Sequence, residues 1–290
     1  MNVLVTGANG QLGSEIKDLV ANYSKLEFKF KDLPELDICD AKSLNSFIKV
    51  HNINAVINCA AYTAVDKAEE NLEISEQVNS LGVKNLVNAL EKVNGKLIHI
   101  STDYVFDGNS FMPYKEFDEV NPIGVYGNTK RRGELAVINS DIDGFVIRTS
   151  WLYSVYGNNF VKTMLRLGNE RDQLPVIFDQ VGSPTNASDL AKICLDILSD
   201  ESLAKISSSG KIYHYSNEGV ASWYDFATAV MKINKLDCKV LPIETKDYPT
   251  LAKRPHYSVL NKTKIKTDFN IEIPYWKDSL EKCFEKLKSN

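Results

Sequence analysis

Gly7-Ala8-Asn9-Gly10-Gln11-Leu12-Gly13 is the stretch on which the fold turns. It follows residues 1–6, a short apolar run that reads as a strand. It opens residues 11–22, where apolar side chains recur at helical spacing. Glycine at Gly7, Gly10 and Gly13 permits positive φ and lets the backbone approach a pyrophosphate. The helix that begins at Gln11 then offers free N–H groups and a partial positive charge to that anion, with Leu12 in its first turn. A glycine-rich turn with no ligand is the alternative. Position, spacing and flanking elements together favour a dinucleotide-binding turn.

Working outward, apolar runs at residues 26–30, 55–58, 96–101 and 145–149 alternate with helical patterns at 11–22, 41–51 and 71–93. Strand–helix alternation of this kind predicts an α/β fold: a doubly wound parallel sheet with helices on both faces. The second half is punctuated by proline and glycine. Helical patterns return at 159–168, 188–198, 222–233 and 276–287. We expect residues 1–150 to form a dinucleotide-binding domain, with 186–207 returning to it. Residues 151–185 and 208–290 then form a smaller interleaved C-terminal substrate lobe. Ser207-Ser208-Ser209-Gly210 reads as a surface loop.

Composition narrows the function. Of 290 residues, 43% are hydrophobic and 25% charged, the balance of a folded chain rather than a disordered one. Basic residues number 34 and acidic residues 38, a net charge of −4 that argues against a nucleic-acid binder. No apolar run reaches the ~18 residues of a membrane helix, so no membrane partner is expected. The N-terminus lacks the regions of a signal peptide. The cysteines are scattered, without a CxxC pair, and the histidines lack HxxH or HExxH spacing. Neither a zinc site nor a disulfide framework is expected, and a reducing, cytoplasmic compartment fits.

Two further clusters carry chemistry. The second strand ends near Phe30-Lys31-Asp32, about 20 residues past the glycines, where the ribose 2′ position is read. Asp32 suits a 2′-hydroxyl, and Lys29 or Lys31 suits a 2′-phosphate; a solvated strand end is the other reading. Weak discrimination between NADH and NADPH, or a preference for NADPH, is the expectation. Tyr126-Gly127-Asn128-Thr129-Lys130 is a YxxxK pair, which on a helix puts both side chains on one face. An ammonium near a phenol lowers its pKa and makes tyrosine a usable proton donor. Thr102, at the end of the strand before it, would donate to a carbonyl oxygen as that oxygen gains charge.

These residues resemble the extended short-chain dehydrogenase/reductases, a Rossmann-like superfamily, and within it the dTDP-4-dehydrorhamnose reductases. The closer resemblance rests on Asn58-Cys59-Ala60-Ala61-Tyr62-Thr63-Ala64-Val65-Asp66-Lys67-Ala68-Glu69 and on Ser101-Thr102-Asp103-Tyr104-Val105-Phe106-Asp107-Gly108. It continues through Arg148-Thr149-Ser150-Trp151, Gly157-Asn158-Asn159-Phe160-Val161, Asp179 to Thr185, and Tyr213 to Asn217. It implies NAD(P)H-dependent reduction of the 4-keto group of dTDP-4-dehydro-L-rhamnose to dTDP-L-rhamnose. It implies Tyr126 as proton donor, Lys130 as its partner, and Thr102 with Asp103 as a tuning pair. Gly10-Gln11-Leu12, Asp37-Ile38 and Ala60-Ala61-Tyr62 match cofactor-contacting stretches, and Tyr104 and Trp151 match positions facing the dTDP-sugar.

On physical grounds Asp37-Ile38 suits an adenine, or is a loop aspartate beside a core isoleucine. Trp151 suits a sugar or base, or is a core aromatic. Arg254 suits the substrate diphosphate, or is a surface arginine. Cys59 and Asn261 depart from the family pattern, at Cys59 without expected consequence. Some members hold Mg²⁺ at a homodimer interface through glutamates. Glu15 matches one such position, Asp189 is shorter than a glutamate, and no third ligand is evident, so metal binding and a homodimer both stay open. An epimerase or dehydratase of the same superfamily, or a non-catalytic regulatory subunit, are the alternatives to a reductase.

Overall fold

The computed structural model describes residues 1–199 and 211–289. The loop expected at Ser207–Gly210 and the domain boundary beside it lie outside the described residues.

The first half runs β1 (Asn2–Thr6), α1 (Gln11–Leu19), β2 (Glu27–Lys31), α2 (Ala41–Val50), β3 (Ala55–Asn58), α3 (Val65–Glu70), α4 (Leu72–Glu76), α5 (Gly82–Glu91), β4 (Lys96–Thr102), α6 (Val125–Ile138) and β5 (Asp143–Thr149). The second runs β6 (Leu152–Tyr153), α7 (Phe160–Glu170), β7 (Gln173–Ile177), β8 (Val181–Gly182), β9 (Thr185–Asn186), α8 (Ala187–Ser199), β10 (Ile212–His214), β11 (Ala221–Ser222), α9 (Trp223–Asn234), β12 (Lys239–Ile243), α10 (Thr263–Phe269) and α11 (Trp276–Ser289).

Six strands form one sheet in the order β2-β1-β3-β4-β5-β10, every neighbouring pair parallel. The runs Val3-Leu4-Val5 and Ala55-Val56-Ile57 are wholly buried because both faces of the sheet are covered. Val3 and Val5 pack with Leu12 and Ile16 of α1 and with α8 on one face. Leu4 points the other way, into the layer of α2, α5 and α6. This is the expected doubly wound α/β fold. Strand order reverses between β1 and β3, and the crevice that such a reversal opens at the strands' C-terminal ends is where α/β sheets bind ligands. The second lobe has its own core, where α7, α9 and α11 bury Val161, Met164, Phe226, Trp276 and Leu280 beside the parallel pair β7 and β12.

Two segments differ from the sequence expectation. β10 pairs with β5 in the main sheet, and Ile265 and Phe269 of α10 pack into the core under it. Both therefore belong with the first domain, although residues 208–290 were assigned to the lobe. Three residues of mixed polarity carry no strand signal of their own; β5 supplies the partner. The helix expected over 71–93 is interrupted by a π-helical turn, Gln77–Leu81, between α4 and α5. The turn delivers buried Asn79, whose side chain accepts the Tyr62 N–H (2.9 Å) and donates to the Tyr62 carbonyl (3.1 Å). It thus holds the loop after β3 in place. Among the described residues no helix is long and apolar enough to cross a membrane.

Candidate active site

β1 ends at Thr6, and the chain turns at Gly7 with φ +61°. A Cβ there would stand 2.6 Å from the Ala60 nitrogen, so only glycine lets this turn lie against the loop after β3. Gly10 is the N-cap of α1. It supplies no side-chain cap, and the first turn holds no acid. The leading N–H groups and the positive end of the helix dipole therefore serve an anion rather than a side chain. Asp32 fixes the turn from β2. Its Oδ2 accepts the Asn9 N–H (2.9 Å) and its Oδ1 the Leu33 N–H (2.8 Å).

A cleft of about 780 Å³ opens from this turn across the ends of β1, β3 and β4. Gly7, Gly10, Gln11, Leu12 and Asp32 line its first part. Gly13 does not: a Cβ at Gly13 would strike the Ala8 Cα at 2.6 Å, so its role is close packing of α1 under the turn. Lys29 and Lys31 do not line the cleft either, and Lys31 is already paired with Glu35. Of the three residues at the end of β2 singled out for the ribose 2′ position, only Asp32 lines the cleft.

Asp37 and Ile38 line one end of the cleft with Leu36 and Ile74. Asp37 Oδ1 accepts the Cys39 N–H (2.8 Å) and Ile38 is also part of the core, as a loop aspartate beside a core isoleucine would be. No local signal marks Ile74 as a site residue, because its neighbours read only as a helix face. Ala60, Ala61 and Tyr62 form the floor. Burial pushes the Cys59 thiol well up, which leaves it without thiolate character.

Tyr126 and Lys130 sit one turn apart on α6, and both line the cleft. Lys130 Nζ donates to the Ile100 carbonyl (2.6 Å). Burial pulls its pKa down to about 8, against an opposing pull from Glu134. Burial pushes Tyr126 up to about 12, against a hydrogen bond with Thr102. Desolvation dominates, only the Thr102 hydrogen bond opposes it, and the lowering expected from the ammonium is not among the influences on the phenol; Tyr126 holds its proton at neutral pH. Thr102 Oγ1 donates to Asp103 Oδ1 (3.0 Å) and accepts the Tyr104 N–H (3.2 Å). Burial raises Asp103 to about 6, countered by hydrogen bonds from Ser258 and Thr102. The Tyr104 ring meets Tyr126 edge to face, with centroids 5.5 Å apart.

Below this cluster Glu134 is fully buried. It takes two bonds from Arg148 (both 2.8 Å), one from Ser101 Oγ (2.6 Å) and one from Arg131 (2.8 Å). This network ties α6 to the ends of β4 and β5 and so fixes Tyr126 relative to Thr102. Sequence reasoning missed it, since its members lie far apart in the chain.

The second lobe supplies the opposite wall. Trp151 lines the cleft at φ +49° and stacks on Trp223 with centroids 3.6 Å apart. Gly157-Asn158-Asn159 covers the phosphate turn, with Asn159 Nδ2 donating to Gln11 Oε1 (3.0 Å). These three residues carried the resemblance but had no assigned role. Arg254 is not among the residues lining the cleft. Its guanidinium is held by both carboxylate oxygens of Asp66, at 3.1 and 2.6 Å. The two candidate metal ligands are likewise engaged. Glu15 binds Ser154 Oγ (2.5 Å) and Lys286 Nζ (2.6 Å), and Asp189 binds Asn217 (2.7 Å) and Ser279 (2.6 Å). Among the described residues of the single chain no group of three or more His, Cys, Asp or Glu side chains is arranged for a metal.

An anion seat, an apolar slot and a half-buried proton donor along one cleft fit a nicotinamide dinucleotide and a carbonyl substrate. Comparisons with known proteins agree. The model of the RmlD substrate binding domain family matches residues 1–289. A dTDP-4-dehydrorhamnose reductase of Aggregatibacter actinomycetemcomitans is 41% identical over 285 residues, 96% of this chain and 97% of that one. The crystal structure of a dTDP-4-dehydrorhamnose reductase from Clostridium acetobutylicum is 41% identical and superposes with a TM-score of 0.93, covering 99% of this chain and 100% of that one. One from Bacillus anthracis, in complex with NADP, is 36% identical with a TM-score of 0.91, covering 98% of this chain and 99% of that one.

Proposed function

The chain belongs to the RmlD family of dTDP-4-dehydrorhamnose reductases, and from that membership we propose how its own residues perform the reaction. It is an NAD(P)H-dependent oxidoreductase that reduces the 4-keto group of dTDP-4-dehydro-L-rhamnose, giving dTDP-L-rhamnose. The bound nicotinamide supplies the hydride. The N-terminal N–H groups of α1 bind the cofactor's pyrophosphate, and Asp32 faces the ribose. Leu36, Ile38 and Ile74 enclose the adenine. Ala60 and Ala61 leave room over the end of β3.

The ketone oxygen lies between Tyr126 and Thr102. Tyr126 gives it a proton as the carbon is reduced, and the Lys130 ammonium, one turn along the same face, stabilises the phenolate left behind. When the ketone binds, Thr102 turns its single hydroxyl proton from Asp103 to the same oxygen, a second donor beside Tyr126. Trp151, braced by Trp223, and Tyr104 flank the sugar. Arg254 is paired with Asp66 beside this wall.

The observation that carries the reading is the half-buried Tyr126, which lines with Thr102 and Lys130 the cleft that begins at the anion seat. The test is consumption of NADPH and of NADH by wild type and Tyr126→Phe in the presence of dTDP-4-dehydro-L-rhamnose. The variant is expected to lose about two orders of magnitude in turnover while binding cofactor as before. Turnover close to wild type in Tyr126→Phe would remove the tyrosine from this role.

A further inference from the structure

The Asp66-Lys67-Ala68-Glu69 segment carried part of the family resemblance, yet none of its side chains has a place in the reaction above. The geometry points to Glu69 as a positioning residue for Tyr126: it caps the catalytic helix from outside that helix. This inference rests on reading Tyr126 as the proton donor.

α6 begins at Val125, so Tyr126 is its second residue. The first N–H groups of a helix have no partner within it, and a first turn left without a cap frays. The N-cap of α6 is Gly124, which has no side chain to offer, and the first turn contains no acid. Glu69 fills the gap from α3. Its Oε1 accepts the Val125 N–H at 2.8 Å. A Cβ on Gly124 would stand 2.7 Å from that oxygen, so a glycine at the cap makes room for the carboxylate. The charge is also of the sign that favours the positive end of the helix.

α3 is itself anchored. Asp66, one turn before Glu69, binds Arg254 through both oxygens and accepts the Ala252 N–H (3.1 Å). The short helix is thus a strut, with one end on the second lobe and the other on the first peptide of the helix that carries the proton donor. Tyr104 meets the same tyrosine ring edge-on. Loss of the cap frees the first turn, and with it the direction in which the Tyr126 hydroxyl points.

The test compares Glu69→Ala and Glu69→Gln with wild type and Tyr126→Phe, each checked for folding by circular dichroism at the assay temperature. In Glu69→Ala, kcat is expected to fall about fivefold to tenfold, the size of a lost helix cap. NADPH Kd and the KM for dTDP-4-dehydro-L-rhamnose should stay within about twofold. Glu69→Gln keeps the acceptor oxygen and should recover most of kcat. Amide hydrogen exchange at Val125 should quicken in the alanine variant alone. An unchanged kcat in folded Glu69→Ala overturns the inference, as does a loss that Glu69→Gln shares in full. If Tyr126→Phe keeps its turnover, the donor assignment fails instead, a result distinct from failure at Glu69.

Discussion

Lys130 is placed where its charge is needed and where charge is costly. Its ammonium is buried and held by one carbonyl, and burial brings its pKa to about 8. As pH rises through that value, the charged fraction falls and with it the stabilisation of the Tyr126 phenolate. The sign follows: on its alkaline side kcat/KM should decline above pH about 8. Lys130→Arg, if it still turns over, should keep its charge and lack this decline. A wild-type profile that stays flat well past 8 would exclude Lys130 as the titrating group. The four-residue spacing made Tyr126 and Lys130 legible in the sequence. The direction in which Tyr126 shifts was not, because it depends on how much of the fold closes over it. Arg254 was illegible for a related reason: Asp66, the partner that engages it, lies 188 residues away in the chain.

At the scale of the element, α6 is seated by its glycines. A Cβ on Gly127 would lie 2.2 Å from the Tyr104 carbonyl oxygen, and one on Gly133 2.3 Å from the Asn79 carbonyl. Both obstacles are backbone, which cannot rotate away. Gly127→Ala should therefore lift the catalytic helix off the end of β4. We expect Tm to fall by roughly 2–10 °C, from an overpacking cost of about 1–3 kcal/mol, and kcat to fall with it. A thermal melt and a turnover assay at a temperature where the variant is folded would check this; an unchanged kcat would mean that the helix has slack. Elements were readable where periodicity was clean, as in Val3-Leu4-Val5 or α1. The π-helical turn at Gln77–Leu81 was not, since its cause is the bond of Asn79 to Tyr62 rather than any local preference. β10 was hidden for the same reason: its strand character comes from β5.

For the whole molecule, the cleft has two owners. The first domain provides the anion seat and the proton donor; the second lays Gly157-Asn158-Asn159 over the seat. Asn159 spans them through Gln11 and is also bonded to the Ser154 carbonyl (2.7 Å). Asn159→Ala should loosen the cover. We expect NADPH Kd to rise about fivefold, the equivalent of roughly one net hydrogen bond, with little loss of kcat at saturating cofactor. Calorimetric titration would measure it, and an unaltered Kd would mean that the lobe contributes nothing to holding the cofactor. The cover was only partly legible: the sequence marked the segment, but its contact with Gln11 joins residues 148 positions apart.

The ion pair of Glu15 with Lys286 joins residues 271 positions apart. During translation the ribosome makes the helix that receives the cofactor among the first elements and its buttress, α11, long afterwards. Until then the carboxylate of Glu15 lacks its cation, and a lone charge resists burial. The final seat of the Glu15 carboxylate, and with it that face of α1, therefore depends on α11.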